Sequence, residues 1–89
     1  MTYGLVFSNK SLKFLHKLSK NDYELVTNIL GVIEEIKNNP YGCKKMMGRF
    51  KGTRREKLGI YRIIFEINKE DNIINILEIG KRNTIYRKK

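Results

Sequence analysis

The stretch "GIYRIIFEINKEDNIINILEIG", Gly59 to Gly80, decides the fold. Successive side chains of an extended strand point to opposite sides. In its first half Tyr61, Ile63, Phe65 and Ile67 therefore share one face, and Ile60, Arg62, Ile64 and Glu66 share the other. The first of these faces is wholly apolar, so something must cover it. "NKEDN" is a polar turn, and "IINILEI" reads as the next strand. The period of two begins at Thr53, which makes the second half of the chain a meander of three strands.

Upstream the period changes. Val26, Ile29, Leu30, Ile33 and Ile36 follow the i, i+3, i+4, i+7 rule, which predicts a helix with one apolar stripe. "SKND" supplies its N-cap, Asp22 and Glu24 lie favourably in its first turn, and Asn38-Asn39-Pro40 stops it, because the residue before proline is pushed out of the helical region. Before it, "SKND" separates a first helix carrying Leu12, Leu15 and Leu18, capped by Ser8 or Asn9. "TYGLVFS" alternates and predicts an opening strand. "YGCKKMMGRFKG" has three glycines and no period; it is expected to be a basic loop whose Met46, Met47 and Phe50 fold back on the core. The expected architecture is α+β, in the order β-α-α-β-β-β, with two helices on one face of an antiparallel sheet. At 89 residues the whole chain, 1–89, is expected to form one domain.

The formal charge of +10 is concentrated rather than spread. Between Cys43 and Arg62 stand Lys44, Lys45, Arg49, Lys51, Arg54, Arg55, Lys57 and Arg62, opposed by Glu56 alone. The last ten residues, "GKRNTIYRKK", add Lys81, Arg82, Arg87, Lys88 and Lys89 with no carboxylate. Such segregation is what a surface for a polyanion requires, and nucleic acid is the expected partner. A single cysteine cannot staple the fold, and neither a secretory leader nor a stretch able to span a bilayer is expected, so the reading is a reduced, cytoplasmic protein without a membrane.

With His16 as the only histidine and Cys43 as the only cysteine, no soft-ligand metal site can be built, and no cofactor is expected. "GRFKGTRR" lacks the Gly-Lys-Ser/Thr ending of a phosphate-binding loop. A nuclease here cannot use a histidine pair. Arginine, lysine and tyrosine remain, and phosphoryl transfer can run on them, since its main demand is stabilising charge on phosphate oxygens. With RNA, the nucleophile can be the substrate's own 2′-hydroxyl, leaving the protein to orient it, clamp the phosphate and hold a base. The same residues also make a plain binding surface.

"REKLGIYRIIFEI" followed by "ILEIGKRNTIY" resembles the RelE toxin family of type II toxin–antitoxin systems, within the RelE/ParE superfamily. The resemblance extends through "YGLVFS", "FLHKLSK", "IEEIKNNP" and "MMGRFKG", nearly the full chain. Its most specific element is Tyr61-Arg62 inside an apolar strand, then Gly80-Lys81-Arg82 and a tyrosine four residues on. The resemblance implies a RelE-like fold and a ribosome-dependent endoribonuclease that cuts mRNA in the A site and stops translation. It also implies a partner, an acidic RelB-like antitoxin, and a hetero-oligomer with it.

Carried onto this chain, Arg62 would contact the scissile phosphate and protonate the leaving 5′-oxygen, and Arg82 would stabilise the developing charge. Tyr86 would stack on the codon and orient or deprotonate the 2′-hydroxyl. Arg55 and Lys57 match further basic positions of the catalytic set. Thr53 stands where some members have a lysine, and Arg54 is the neighbouring cation that could compensate. Lys44, Lys45, Arg49, Lys51, Arg54, Lys81, Arg87, Lys88 and Lys89 are the expected contacts to RNA or ribosome. A ParE-like branch of the superfamily, which poisons DNA gyrase, and a non-catalytic RNA-binding module are the alternatives.

Overall fold

In the computed structural model, which describes residues 3–82, the chain forms strand β1 (Gly4–Phe7), helix α1 (Asn9–Ser19), helix α2 (Tyr23–Asn38), a two-residue strand β2 (Lys44–Lys45) and strands β3 (Arg54–Leu58), β4 (Tyr61–Asn68) and β5 (Ile73–Lys81). Single turns of 3-10 helix at Pro40–Gly42 and Gly48–Phe50 flank β2. The sheet order is β1-β5-β4-β3-β2. The α+β class, the two helices and the three long C-terminal strands are as the sequence predicts. Strands β2 to β5 pair antiparallel, but β1 lies parallel to β5, so the sheet is mixed. A parallel pair needs a long crossover, and the helical pair and meander between β1 and β5 supply it.

Local chemistry sets the helix ends. Ser8 leaves β1 in an extended conformation, and its hydroxyl accepts from the Ser11 amide at 3.0 Å, capping α1. Asp22 caps α2 through the Leu25 amide at 3.1 Å. Asn39 departs from helical geometry just before Pro40. Leu15 of α1 and Val26, Ile29, Ile33 and Ile36 of α2 pack onto Ile63, Phe65, Ile74, Ile76 and Ile79 of the sheet. Two predicted stripe residues stand outside that core: Leu12 and Leu30 are 50% and 44% exposed. In α1 the inward position is taken by Ser11, which is fully buried.

Ser11 is inside because of an irregularity in β5. The register jumps between Ile64↔Glu78 and Phe65↔Ile76, so Leu77 is a bulge residue with no partner on β4. The bulge presents extra carbonyls. The Ser8 hydroxyl donates to the Leu77 carbonyl at 2.8 Å, and the Ser11 hydroxyl reaches the Ile76 carbonyl at 3.3 Å. The serines that start α1 thus also satisfy the kink in β5.

The basic loop does not fold back on the core. Lys44 and Lys45 extend the sheet by pairing with Arg55 and Arg54. Met47 is 77% exposed, Met46 is half-buried, and Phe50 lies under the Arg49 guanidinium, 4.7 Å from the ring centroid. Neither methionine nor Phe50 belongs to the core, whereas Cys43 packs against it. No helix among the described residues is long and apolar enough to cross a membrane.

Candidate functional site: a cationic face opposite the helices

The helices cover one face of the sheet; the other carries the cations. On β3, Arg54, Glu56 and Leu58 pair with Phe65, Ile63 and Tyr61, while Arg55 and Lys57 pair with Ile64 and Arg62. Cross-strand partners share a face. Arg55, Lys57 and Arg62 are therefore together on the helix-free side, and Lys44, opposite Arg55, joins them from β2. Glu56, the one carboxylate in this basic stretch, points to the opposite side, where its Oε2 lies 4.0 Å from the Cys43 thiol. Strand alternation alone thus removes that carboxylate from the cationic face.

Arg62 is 8% exposed, yet it makes no ion pair with a carboxylate of the described residues. Its Nη1 donates to the carbonyls of Gly59 at 3.1 Å and Tyr61 at 3.0 Å. Its Nε is buried without a partner. Neighbouring Tyr61 points the other way and meets Phe14 of α1 edge-on, with ring centroids 6.1 Å apart. Across from Arg62 on β5 stands Gly80, which has no side chain to cover the guanidinium. A buried cation with an unused donor and no counterion is costly unless an anion arrives. This is the strongest single sign of a site among the described residues.

The turn beside Arg62 is Gly59-Ile60, and Gly59 adopts φ 60°, the left-handed region that glycine tolerates. Ile60 falls in this turn rather than in the strand, and it is 60% exposed. Its carbonyl accepts from the Arg82 amide at 2.9 Å, pinning Arg82 beside the turn. Gly59, Ile60, Arg62, Lys81 and Arg82 line a cavity of about 450 Å³. Arg82 also borders a second depression of about 270 Å³, with Arg55, Lys44, Lys45, Met46 and Met47. Arg62 and Arg82 thus line one hollow, and Arg82 and Arg55 line a second that shares Arg82 with it. They can hold a phosphate by forked, charge-assisted hydrogen bonds.

The other predicted residues divide. Arg54 is on the helix side: its Nη1 donates to the Cys43 carbonyl at 2.9 Å and the Tyr41 carbonyl at 3.3 Å, and its guanidinium lies 5.2 Å from the Tyr41 ring centroid. It staples the turn after α2 to β3, and so does not replace a lysine at Thr53 on the cationic face. The Thr53 hydroxyl itself donates to the Phe50 carbonyl at 2.6 Å. Arg49, Lys51 and Lys45 are exposed in or beside the β2–β3 loop. Tyr86, Arg87, Lys88 and Lys89 lie outside the described residues. Reading for chemistry alone passes over Gly59, and the pairing of Gly80 with Arg62, because glycine carries no reactive group; turn propensity is the signal for the first. His16 is exposed on α1, and no group of metal-binding side chains occurs among the described residues. The Cys43 thiol is pushed above its ordinary value by burial first and Glu56 second, against the lowering influence of Arg54.

Comparison with known proteins places the chain in a family. The model described as "ParE toxin of type II toxin-antitoxin system, parDE" matches residues 5–86. A candidate toxin of Methanocaldococcus jannaschii, RelE4, is 29% identical over 80 residues, covering 86% of this chain and 83% of its own. Among solved structures, the RelBE2 toxin–antitoxin complex of Mycobacterium tuberculosis contains a chain that superposes with a TM-score of 0.80 at 21% identity, covering 92% of this chain and 100% of that one. A YoeB/ParE toxin from Agrobacterium tumefaciens gives 0.80 at 14% identity, over 89% and 98% of the two chains. The E. coli toxin RelE, as a mutant in the free state, gives 0.76 at 20% identity, over 98% and 93%.

Proposed function

The chain belongs to the ParE toxin family of type II toxin–antitoxin systems, in the RelE/ParE superfamily, and we propose that it is a ribosome-dependent endoribonuclease cutting mRNA in the A site. The observation that supports this most directly is Arg62, a buried guanidinium with an unused Nε and no carboxylate partner among the described residues, on a face shared with Arg55 and Lys57 and beside Arg82. In the proposed reaction the 2′-oxygen attacks phosphorus, the bond to the 5′-oxygen breaks, and a 2′,3′-cyclic phosphate and a 5′-hydroxyl result. The 2′-hydroxyl gives its proton to solvent water, and the 5′-oxygen takes one from Arg62, which regains it from water. Arg62 would also clamp the phosphate; a guanidinium is charged at neutral pH, so its first contribution is electrostatic. Arg82 stabilises the equatorial oxygens, Arg55 and Lys57 add positive potential, and Tyr86 orients the 2′-hydroxyl and stacks on the codon.

This site has cations in plenty but no strong general base among them. The ribosome must therefore supply alignment, which is worth on the order of 7–11 kcal/mol in favourable cases. Translated mRNA should be cut, and naked mRNA should survive the same exposure. Primer extension on both, in a cell-free extract, tests this; equal cutting of the two refutes it. An acidic antitoxin is the proposed partner, in keeping with similar chains solved within toxin–antitoxin complexes. Purification with that partner should give a complex that no longer stops translation.

The matching family model carries the ParE name, which favours a second reading, poisoning of DNA gyrase. A supercoiling assay run in parallel separates the two. Gyrase inhibition that survives loss of Arg62, with no mRNA cut, decides for the second.

A further inference from the structure

The methionines expected in the core stand instead at the rim of a hollow. Met46, Met47, Lys45, Lys51, Gly52 and Thr53, with Arg54 from the helix side of the sheet, line a cavity of about 320 Å³ at the β2–β3 loop. Met46, Met47 and Lys45 also line the neighbouring depression, which reaches Arg55 and Arg82. The three hollows adjoin: the one at Arg62 shares Arg82 with the depression at Arg55, which shares Lys45 and the two methionines with the third. Met47 at 77% exposure gives the fold no packing, and no feature of the core requires it. Gly48 and Gly52 bracket the loop at φ 67° and 93°, conformations that favour glycine and shape the loop around the hollow.

Resting on the ribonuclease reading, the geometry points to a second subsite: the Met46–Met47 hollow holds a base of the mRNA strand next to the cleaved codon position, and its fit influences which sequences are cut. Thioethers are soft, polarisable surfaces that pack on the face of any aromatic ring. The lysines at the rim match the phosphates on either side of such a base. Strands lie about 4.8 Å apart, so β2 is about 10 Å from β4, close enough for neighbouring nucleotides of one strand. An acidic protein segment with an apolar anchor would also meet cations and methionine here. Continuity with the phosphate-holding arginines, through Arg55 and Arg82, favours the RNA strand that those arginines are proposed to hold.

The test uses the full-length toxin on translating ribosomes. A photoreactive diazirine amino acid in place of Met47 should crosslink to an mRNA nucleotide beside the cut. Met47→Ala should lower codon discrimination at that same nucleotide by about fivefold in single-turnover cleavage, with cutting still dependent on Arg62. Lys69→Ala, in the distant β4–β5 turn, serves as the control with an unchanged profile. Because Met47 is exposed, its removal leaves folding intact. Crosslinks confined to ribosomal RNA or to a protein partner overturn the subsite, as does an unaltered codon profile in Met47→Ala. If the native toxin cuts no translated mRNA, the ribonuclease reading falls and the subsite with it. If it cuts and Met47→Ala matches it codon for codon, only the subsite falls.

Discussion

Replacing Arg62 with methionine removes a buried positive charge while keeping most of the side chain's length. In the folded protein that charge makes two hydrogen bonds to backbone carbonyls and has an unpartnered Nε. Hydrogen bonds from a charged donor return about 1.5–3 kcal/mol each, so about 3–6 kcal/mol for the pair. Removing a guanidinium from water without a counterion costs several kcal/mol. The two nearly cancel, so Arg62→Met should change folding stability by less than about 2 kcal/mol, a Tm change within about 15 °C for a chain of this size. Catalysis has no such compensation. Losing one preorganised donor to the transition-state charge costs about 2.7–4 kcal/mol, or 100- to 1,000-fold in rate. Single-turnover cleavage on programmed ribosomes reads the rate, and thermal unfolding reads the stability. A third measurement needs no ribosome: inorganic phosphate should raise the Tm of the native protein above that in chloride of equal ionic strength, by preferential binding to the folded state, and should not do so in Arg62→Met. A variant that unfolds outright while losing the rate would make Arg62 a structural residue. A stable variant that still cleaves at the native rate would remove it from the site.

The tail residues should not be interchangeable. Arg82→Lys loses the forked donor and Tyr86→Phe the hydroxyl, and each should slow cleavage by about tenfold or more, about 1.4 kcal/mol; removal of Lys88 and Lys89 should only weaken ribosome binding in a salt-dependent way, and equal behaviour of all three would reduce the tail to electrostatic attraction. Arg54→Ala should lower unfolding stability by about 2 kcal/mol through lost carbonyl and ring contacts, leaving the rate per folded molecule unchanged; a specific loss of rate would return Arg54 to the site. The Cys43 thiol, held up by burial, keeps its proton more tightly in the folded state than in the unfolded one. Its stabilising contribution is therefore complete below the ordinary thiol value of about 8.5 and lost as pH rises beyond it, so urea midpoints at pH 7 and pH 10 should differ more in the native protein than in Cys43→Ala. Identical slopes would show that Cys43 does not titrate differently on folding.

Periodicity made most of the fold legible, because a stripe such as Val26, Ile29, Ile33 and Ile36 can be buried only by a helix and Ile63, Phe65 and Ile67 only by a strand. Strand parity also separates Arg54 from Arg55, but only once the pairing register is known, and charge alone treats them as equals. The loop failed for a different reason. Met46, Met47 and Phe50 are apolar without being periodic, and hydrophobicity without a period cannot distinguish a residue that seals a core from one that lines a surface hollow.

The bulge in β5 is the feature on which the site depends most and which sequence reading passed over. In an unbroken strand, Ile74, Ile76, Glu78 and Gly80 would share the helix side, and Arg82 would follow them away from Arg62. The core instead holds Ile74, Ile76 and Ile79, a spacing of two and then three. That change of parity is written in "IINILEIG" and is the signature of one extra residue. After Leu77 every later position changes sides, which puts Gly80 opposite Arg62 and brings Arg82 to the cavity that Arg62 lines. The donors that satisfy the kink come from Ser8 and Ser11, at the far end of the sequence, where α1 begins. The opening strand-to-helix junction and the cationic face are therefore coupled through one irregular strand, and the two arginines line one cavity because the bulge that two serines satisfy turns β5 over.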